Sequence, residues 1–367
     1  VSKLVRLLLA LGALVTLCGI TLLIGLLVLS GGDPGGFLRT SLIRFQLAGR
    51  EGEINSSIGT STDPIRFVIN AGDAPRTIAG NLVAQNLITD ADLFVDYVRV
   101  NGFDTQLEAG TYFLQQSQTL AEIASALTDS RSSQFPFRIL EGWRSEEIAA
   151  AIDDNPYFPF SGADFLAVVG PGAIPEADFA AYAGLPAGTS LEGFLFPNSY
   201  QLPAQVTPPM LRDILTREFR LQVGEQAAMT AASRGRTLFD VVRLASIVQR
   251  EAVRVDEMPL IASAYQNRLD IGMKMDADPT VQYAIGFRGG SWWPQITQAD
   301  YASAPGPFNT YIFTGLPPGA IGNPGLSAIN AALSPQQSPY FFFRARCDGS
   351  GYHNFAVTFE EHLANAC

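Results

Sequence analysis

Glu251 is the residue whose surroundings best fit it for proton transfer. It stands in the stretch from Leu238 to Gly286, LFDVVRLASIVQREAVRVDEMPLIASAYQNRLDIGMKMDADPTVQYAIG. Leu238, Val241, Val242, Ala245, Val248 and Ala252 recur in steps of three and four, the spacing of one helical face. Glu251 follows Ile247 by one turn and Val248 by three residues, on the seam with Leu244. Arg243 and Arg250 are expected on the opposite, solvent-facing side. A carboxyl among aliphatic neighbours is desolvated, which disfavours its charged form and lets a Glu donate a proton near neutral pH. The alternative is a surface ion pair between Glu251 and Arg254 at i+3. Periodicity leaves both open.

The elements that would position such a residue follow from length and composition. With 367 residues the chain has room for two globular domains besides an anchor. Leu7 to Leu29 is an unbroken uncharged, mostly aliphatic run, long enough to cross the ~30 Å hydrocarbon core, so a transmembrane helix is expected there. Lys3 and Arg6 precede it and Asp33 follows, which puts the N-terminus in the cytoplasm and everything after about Gly31 outside. A cleaved signal peptide is the competing reading, weakened because Leu27-Val28-Leu29-Ser30 has no small-x-small pattern. The net charge of −11 argues against a polybasic groove, and nucleic acid is not an expected partner. With two histidines and no CxxC or HExxH, no metal or other cofactor is expected. Cys347 and Cys367 are a possible pair in an oxidising compartment, with two free thiols the alternative.

Residues 1–30 therefore read as cytoplasmic N-terminus and anchor, and 31–64 as a Gly/Ser/Thr-rich tether in which Phe37 to Leu47 could form a short amphipathic helix. From Ile65, IRFVINAG alternates like a strand and PRTIAGNLVAQNLI takes helical spacing. A helix over Asp90 to Asn101 and a strand near Gly110 to Leu114 follow. Phe67-Val68-Ile69, Gly72 and Ile78-Ala79 superimpose on Phe137-Arg138-Ile139, Gly142 and Ile148-Ala149, an internal strand–turn–helix repeat. This order resembles LysM modules, small βααβ units that bind N-acetylglucosamine-containing glycans. Residues 65–158 are assigned to such a module, with Trp143 either stacking on sugar or buried in the core. Residues 159–367 remain for a catalytic domain.

SLEGFLFPNSY, LASIVQREA, NRLDIGMKMDADPTVQYAIG, FNTYIFTGLPPGAIGNPG and YFFFRARCDGSGYHNFAVTFEEH occur in an order that resembles the endolytic murein transglycosylases, the MltG or YceG-like family. The resemblance runs from about Ile65 to the end. It implies an α+β multidomain chain: N-terminal transmembrane helix, LysM-like βααβ module and C-terminal YceG-like α/β catalytic domain. It also implies cleavage of the β-1,4 bond between N-acetylmuramic acid and N-acetylglucosamine in nascent peptidoglycan strands, leaving 1,6-anhydromuramyl ends and terminating polymerisation. Glu251 matches the family's catalytic glutamate. Asn267, Arg268, Asp278, Thr280, Asn309, Thr310 and Tyr311 match motifs that should line the glycan cleft. The family often has Glu where Gln249 stands, PDTY where Pro197-Asn198-Ser199-Tyr200 stand, and Ser-Pro-Tyr where Pro307-Phe308 precede Asn309. Implied partners are nascent glycan strands, the cell membrane and peptidoglycan synthases, with the catalytic domain extracytoplasmic.

Each of these residues also has a structural reading. Asp278-Pro279-Thr280 fits a helix-capping turn; Asn267 and Arg268 suit backbone anchoring, and Arg268 equally suits a pair with Asp278 or Glu251. Two rival functions stand beside the transglycosylase. One is a hydrolytic muramidase with Asp256, Asp276 or Asp278 as second carboxylate; the other is a non-catalytic, membrane-anchored peptidoglycan-binding scaffold.

Overall fold

The computed structural model describes residues 3–29, 31–129 and 133–367, which divide into two compact units meeting at Gln134/Phe135. The N-terminal segment brings a correction. Lys3–Leu29 is helical (α1), yet among the described residues no helix is long and apolar enough to cross a membrane. A span needs about 20 consecutive apolar side chains to satisfy the bilayer core. The expected transmembrane helix is therefore not supported. Over residues 31–64 two helices form, α2 (Pro34–Ala48) and α3 (Glu51–Ile54); α2 buries only Ile43 and Leu47.

The first unit continues with β1 (Ile65–Ile69), α4 (Pro75–Ala84), α5 (Ala91–Val100), β2 (Gly110–Leu114) and α6 (Leu120–Ala126). β1 and β2 pair antiparallel, Phe67 opposite Tyr112. Both rings are buried with Ile78 and Leu82 of α4 and Phe94 and Val98 of α5, so the alternation of the strands and the helical spacing converge on one core.

The second unit opens within β3 (Gln134–Arg138), which pairs with β4 (Ser199–Pro203) across α7 (Ser145–Asp153), α8 (Gly162–Val169) and α9 (Ala177–Ala183). The second member of the strand–turn–helix repeat thus belongs here. In both members a glycine at positive φ, Gly72 at 89° and Gly142 at 79°, turns the chain from strand to helix. Then come α10 (Pro208–Val223), α11 (Glu225–Ser233), α12 (Leu238–Glu251), α13 (Met258–Asp270), α14 (Asp278–Ile285), α15 (Asp300–Ser303) and α16 (Leu326–Leu333). A β-hairpin, β5 (Phe342–Ala345) with β6 (His353–Ala356), and α17 (Phe359–Ala364) close the chain. A disulfide joins Cys347 to Cys367 and ties the end of α17 to the hairpin.

α12 is the axis of this unit. Thr237 caps it through a reciprocal box with Asp240, and Leu238 to Val248 are buried except Asp240 and Arg243. The alanine-rich α16 packs along it. The helix is covered on more sides than a single apolar stripe implies. Arg243 donates to the Pro317 carbonyl at 2.8 Å, and the Arg250 guanidinium lies 3.9 Å from the Trp293 ring centroid. The chain approaches α12 so closely at Gly193 that a Cβ there would fall 2.6 Å from both Val242 and Ala320, and its φ of 92° also favours glycine.

Candidate active site

Glu251 is the last residue of α12, where Ala252 turns the chain out of the helix with φ −80° and ψ 122°. The residue is half-buried, and its carboxyl faces a cleft of about 360 Å³ shared with Tyr265, Arg268, Asp276, Asp278 and Tyr311. α13 returns beside α12 and sets the buried Tyr265 so that its hydroxyl donates to Glu251 Oε1 at 2.5 Å. Desolvation pushes the Glu251 carboxyl up to about 7, against that hydrogen bond; the Asp278 charge pushes the same way, and Arg268 opposes it. At pH 7 such a group is about half protonated, whereas an ordinary glutamate is protonated below roughly 1 % of the time. The surface ion pair with Arg254 does not form: Arg254 Nε donates instead to the Ser350 carbonyl.

Opposite Glu251 in this cavity stands a carboxylate of different character. Asp278 begins α14 with Pro279 in its first turn, and its carboxylate accepts from Tyr311 Oη at 2.7 Å and Tyr301 Oη at 3.4 Å. The two phenol rings lie 4.5 Å apart. Burial, then the bond to Asp278, pushes the Tyr311 phenol far up, so it remains a donor. Asp276, at a φ of 49°, is a further cleft carboxyl raised by burial, with Arg268 and Lys274 opposing.

The structure gathers four of the sequence-derived residues, Glu251, Arg268, Asp278 and Tyr311, around one cavity. Arg268 serves mainly as a strut: its Nε donates to the Phe341 carbonyl at 2.6 Å and its Nη1 to the Met275 carbonyl. The other four are not part of the cleft lining. Asn267 holds the chain before β5 by donating to the Ser338 and Tyr340 carbonyls at 2.9 and 2.8 Å. Thr280 and Thr310 are buried and share a hydroxyl–hydroxyl bond of 2.9 Å. Buried Asn309 donates to the Tyr301 carbonyl at 3.0 Å and accepts from the Tyr311 amide. These three fix the backbone that presents Asp278, Tyr301 and Tyr311. Among the muramidase's other acids, Asp256 accepts from Tyr352 Oη at 3.1 Å and lies outside the cleft lining.

Sequence reasoning did not single out Tyr265, Tyr301, Phe342, Arg344, Phe359 or His362 as cleft residues; all line the cavity. Tyr265 carried a usable signal, since it lies in the helix directly after Glu251. Tyr301 arrives from α15, and the others from β5 and α17, through tertiary contacts. Sequence reasoning also missed Glu192 of SLEGF, a buried carboxyl pushed up to about 8 by desolvation first and Glu146 second. It accepts from the Ser145 amide and from Asn323 Nδ2, while Asn323 Oδ1 accepts from the Gly193 and Leu195 amides. SLEGF and GNPG thereby brace one another beside α12. Ser246 Oγ and Gln249 Oε1 of α12 accept from the Ile321 and Gly325 amides at 3.0 and 2.9 Å.

The model of the YceG-like family matches residues 67–367. The chain belongs to the YceG-like family. This YceG-like chain is 29% identical over 318 residues to an endolytic murein transglycosylase of Bacillus subtilis (strain 168), covering 82% of the chain and 84% of the relative. An endolytic murein transglycosylase of Streptococcus pneumoniae (serotype 2, strain D39) is 25% identical over 316 residues, 81% of the chain, which spans 57% of that relative. The crystal structure of a YceG-like protein from Listeria monocytogenes superimposes with a TM-score of 0.52 at 26% identity, covering 83% of the chain and 99% of that protein. The two halves of the YceG-like cleft, α12–α13 and the 276–311 segment, lie inside the matched region.

Proposed function

We propose that this chain is an endolytic murein transglycosylase that cuts the β-1,4 bond between N-acetylmuramic acid and N-acetylglucosamine. The observation that carries the reading is the Glu251 carboxyl on a cleft wall, raised by desolvation and held by Tyr265; the two curated relatives carry the same activity in their names. Glu251 gives its proton to the glycosidic oxygen as the C1–O4 bond breaks. The resulting carboxylate takes the proton of the muramyl 6-hydroxyl as O6 bonds to C1, so the 1,6-anhydro ring closes and no water is consumed. Holding the 6-hydroxyl beside C1 raises its effective concentration enough to outrun hydrolysis. Asp278 adds negative potential as positive charge develops at C1.

The muramidase is disfavoured at the same site. The relatives' names give a transglycosylase rather than a hydrolase, and the Asp278 carboxylate is engaged by Tyr311 and Tyr301. The scaffold reading leaves the raised Glu251 carboxyl without a purpose.

The disulfide between Cys347 and Cys367 supports an oxidising, extracytoplasmic compartment for the cleft. In this reading the enzyme meets strands as they leave peptidoglycan synthases, its functional partners, and terminates their growth. Product length tests the endolytic part. Incubation with long uncrosslinked strands is expected to give fragments of intermediate length from the first turnovers, whereas release of disaccharides alone would contradict internal cutting.

A further inference from the structure

One wall of the cleft is built from β5 and α17, and it carries positive charge that no acid or carbonyl satisfies among the described residues. Phe342 and Arg344 share one face of β5, two residues apart. Phe342 packs on Phe359 and His362 at ring distances of 5.7 and 5.6 Å, and Arg344 and His362 both line the cavity. Three features single out Arg344. Its guanidinium, half-buried, has no carboxylate or carbonyl partner among the described residues, while Arg268 spends its donors on backbone carbonyls. The neighbouring His362 Nδ1 is buried with no hydrogen-bond partner. The cleft's acids, Glu251, Asp276 and Asp278, make no ion pair with Arg344 among the described residues. A half-buried cation beside an unsatisfied ring nitrogen is poised for an anion, and guanidinium matches carboxylate in a two-pronged geometry.

We propose that Arg344, with His362 beside it, binds a carboxylate carried by the muramyl residue of the glycan and so selects substrate by charge; this rests on the transglycosylase reading above. Murein offers that group in two places: the carboxylates of the stem peptide and, where the peptide has been removed, the lactyl carboxylate itself. The cut is then directed to muramyl units whose substituent is anionic. Substrates with amidated carboxyls are cut more slowly because the cation must be desolvated with no charge in return.

The test measures kcat/KM of the purified chain on uncrosslinked strands of matched length, with peptide carboxyls free or converted to amides. Peptide-stripped strands, with lactyl carboxyls free or amidated, form a second pair. The wild type is expected to prefer the free carboxylates about tenfold, the size of one charge-assisted hydrogen bond, mainly through KM. Arg344→Gln is expected to bring that ratio to about one, and Arg344→Lys to restore part of it. A preference confined to the peptide-bearing pair identifies the stem peptide as the source; one confined to the stripped pair identifies the lactyl group. Wild-type cleavage with a ratio near one in both pairs overturns the proposal while leaving the activity standing, and so does a ratio unchanged in Arg344→Gln. Failure of the wild type to cut any strand overturns the transglycosylase reading, and this proposal with it.

Discussion

A carboxyl that is half protonated at neutral pH can serve first as acid and then as base, and the surroundings of Glu251 set that balance. Its ordinary value is 4.5 and its value here about 7, so kcat/KM is expected to fall as pH rises above about 7, where the proton donor is lost. The Tyr265 hydrogen bond favours the anion. Tyr265→Phe should therefore move this alkaline limb to higher pH while lowering kcat, because the carboxyl loses its anchor; a limb that stays in place would show that the bond does not tune the acid. Asp278 acts in the opposite sense, and Asp278→Asn is expected to shift the limb to lower pH in the same titration. Stability follows by linkage. Between about 4.5 and 7 the native state binds more protons at Glu251 than the unfolded chain, so this group's contribution worsens as pH rises through that window. Glu251→Gln removes the penalty and should melt higher than the wild type above pH 7, but not below pH 4.5. The sequence made Glu251 legible because its apolar neighbours recur at helical spacing. It left Tyr265, Arg344 and His362 obscure because their relation to Glu251 depends on how α13, β5 and α17 pack.

At the scale of elements, short motifs that look like binding residues prove to be braces. Asn-Thr-Tyr at 309–311 divides its labour: Tyr311 faces the cleft, while Asn309 and Thr310 are buried and fix the backbone. Sequence alone could not separate these roles, because Asn and Thr suit both a sugar hydroxyl and a buried turn. Thr280→Val is expected to cost about 1–3 kcal/mol by leaving the buried Thr310 amide without its acceptor, read as a melting temperature lowered by several degrees. An unchanged melting temperature would argue that the Thr280–Thr310 contact braces nothing. The strand–turn–helix repeat was visible from Gly72 and Gly142 because a positive φ demands a residue without Cβ. Its second copy pairs with β4 some sixty residues later, a long-range choice that local pattern does not encode. The Leu7–Leu29 run shows the reverse hazard. Composition implied a membrane span, and no helix among the described residues meets the length and apolarity required.

Across the whole molecule, the disulfide is the covalent link between the last helix and the cleft wall. Cys347 and Cys367 are 20 residues apart, and α17, which supplies Phe359 and His362, lies between them. In the chain-entropy model such a closure contributes roughly 3 kcal/mol. Cys347→Ser and Cys367→Ser should each lower the melting temperature and raise KM with little change in the pH limb, since Glu251 is anchored from α12 and α13; a shifted limb would mean that α17 also governs the acid. The YceG-like α/β domain and its family were legible from five ordered motifs, while the cleft's far wall was not, because it is assembled from the chain's last twenty-six residues. The central claim is that Glu251 performs both proton transfers in a lyase reaction. The most direct measurement is mass spectrometry of the new ends formed on uncrosslinked glycan strands by the wild type and by Glu251→Gln. Anhydromuramyl ends from the wild type and none from the variant are the expected result; ordinary reducing ends from the wild type, or anhydro ends from both proteins, would contradict it.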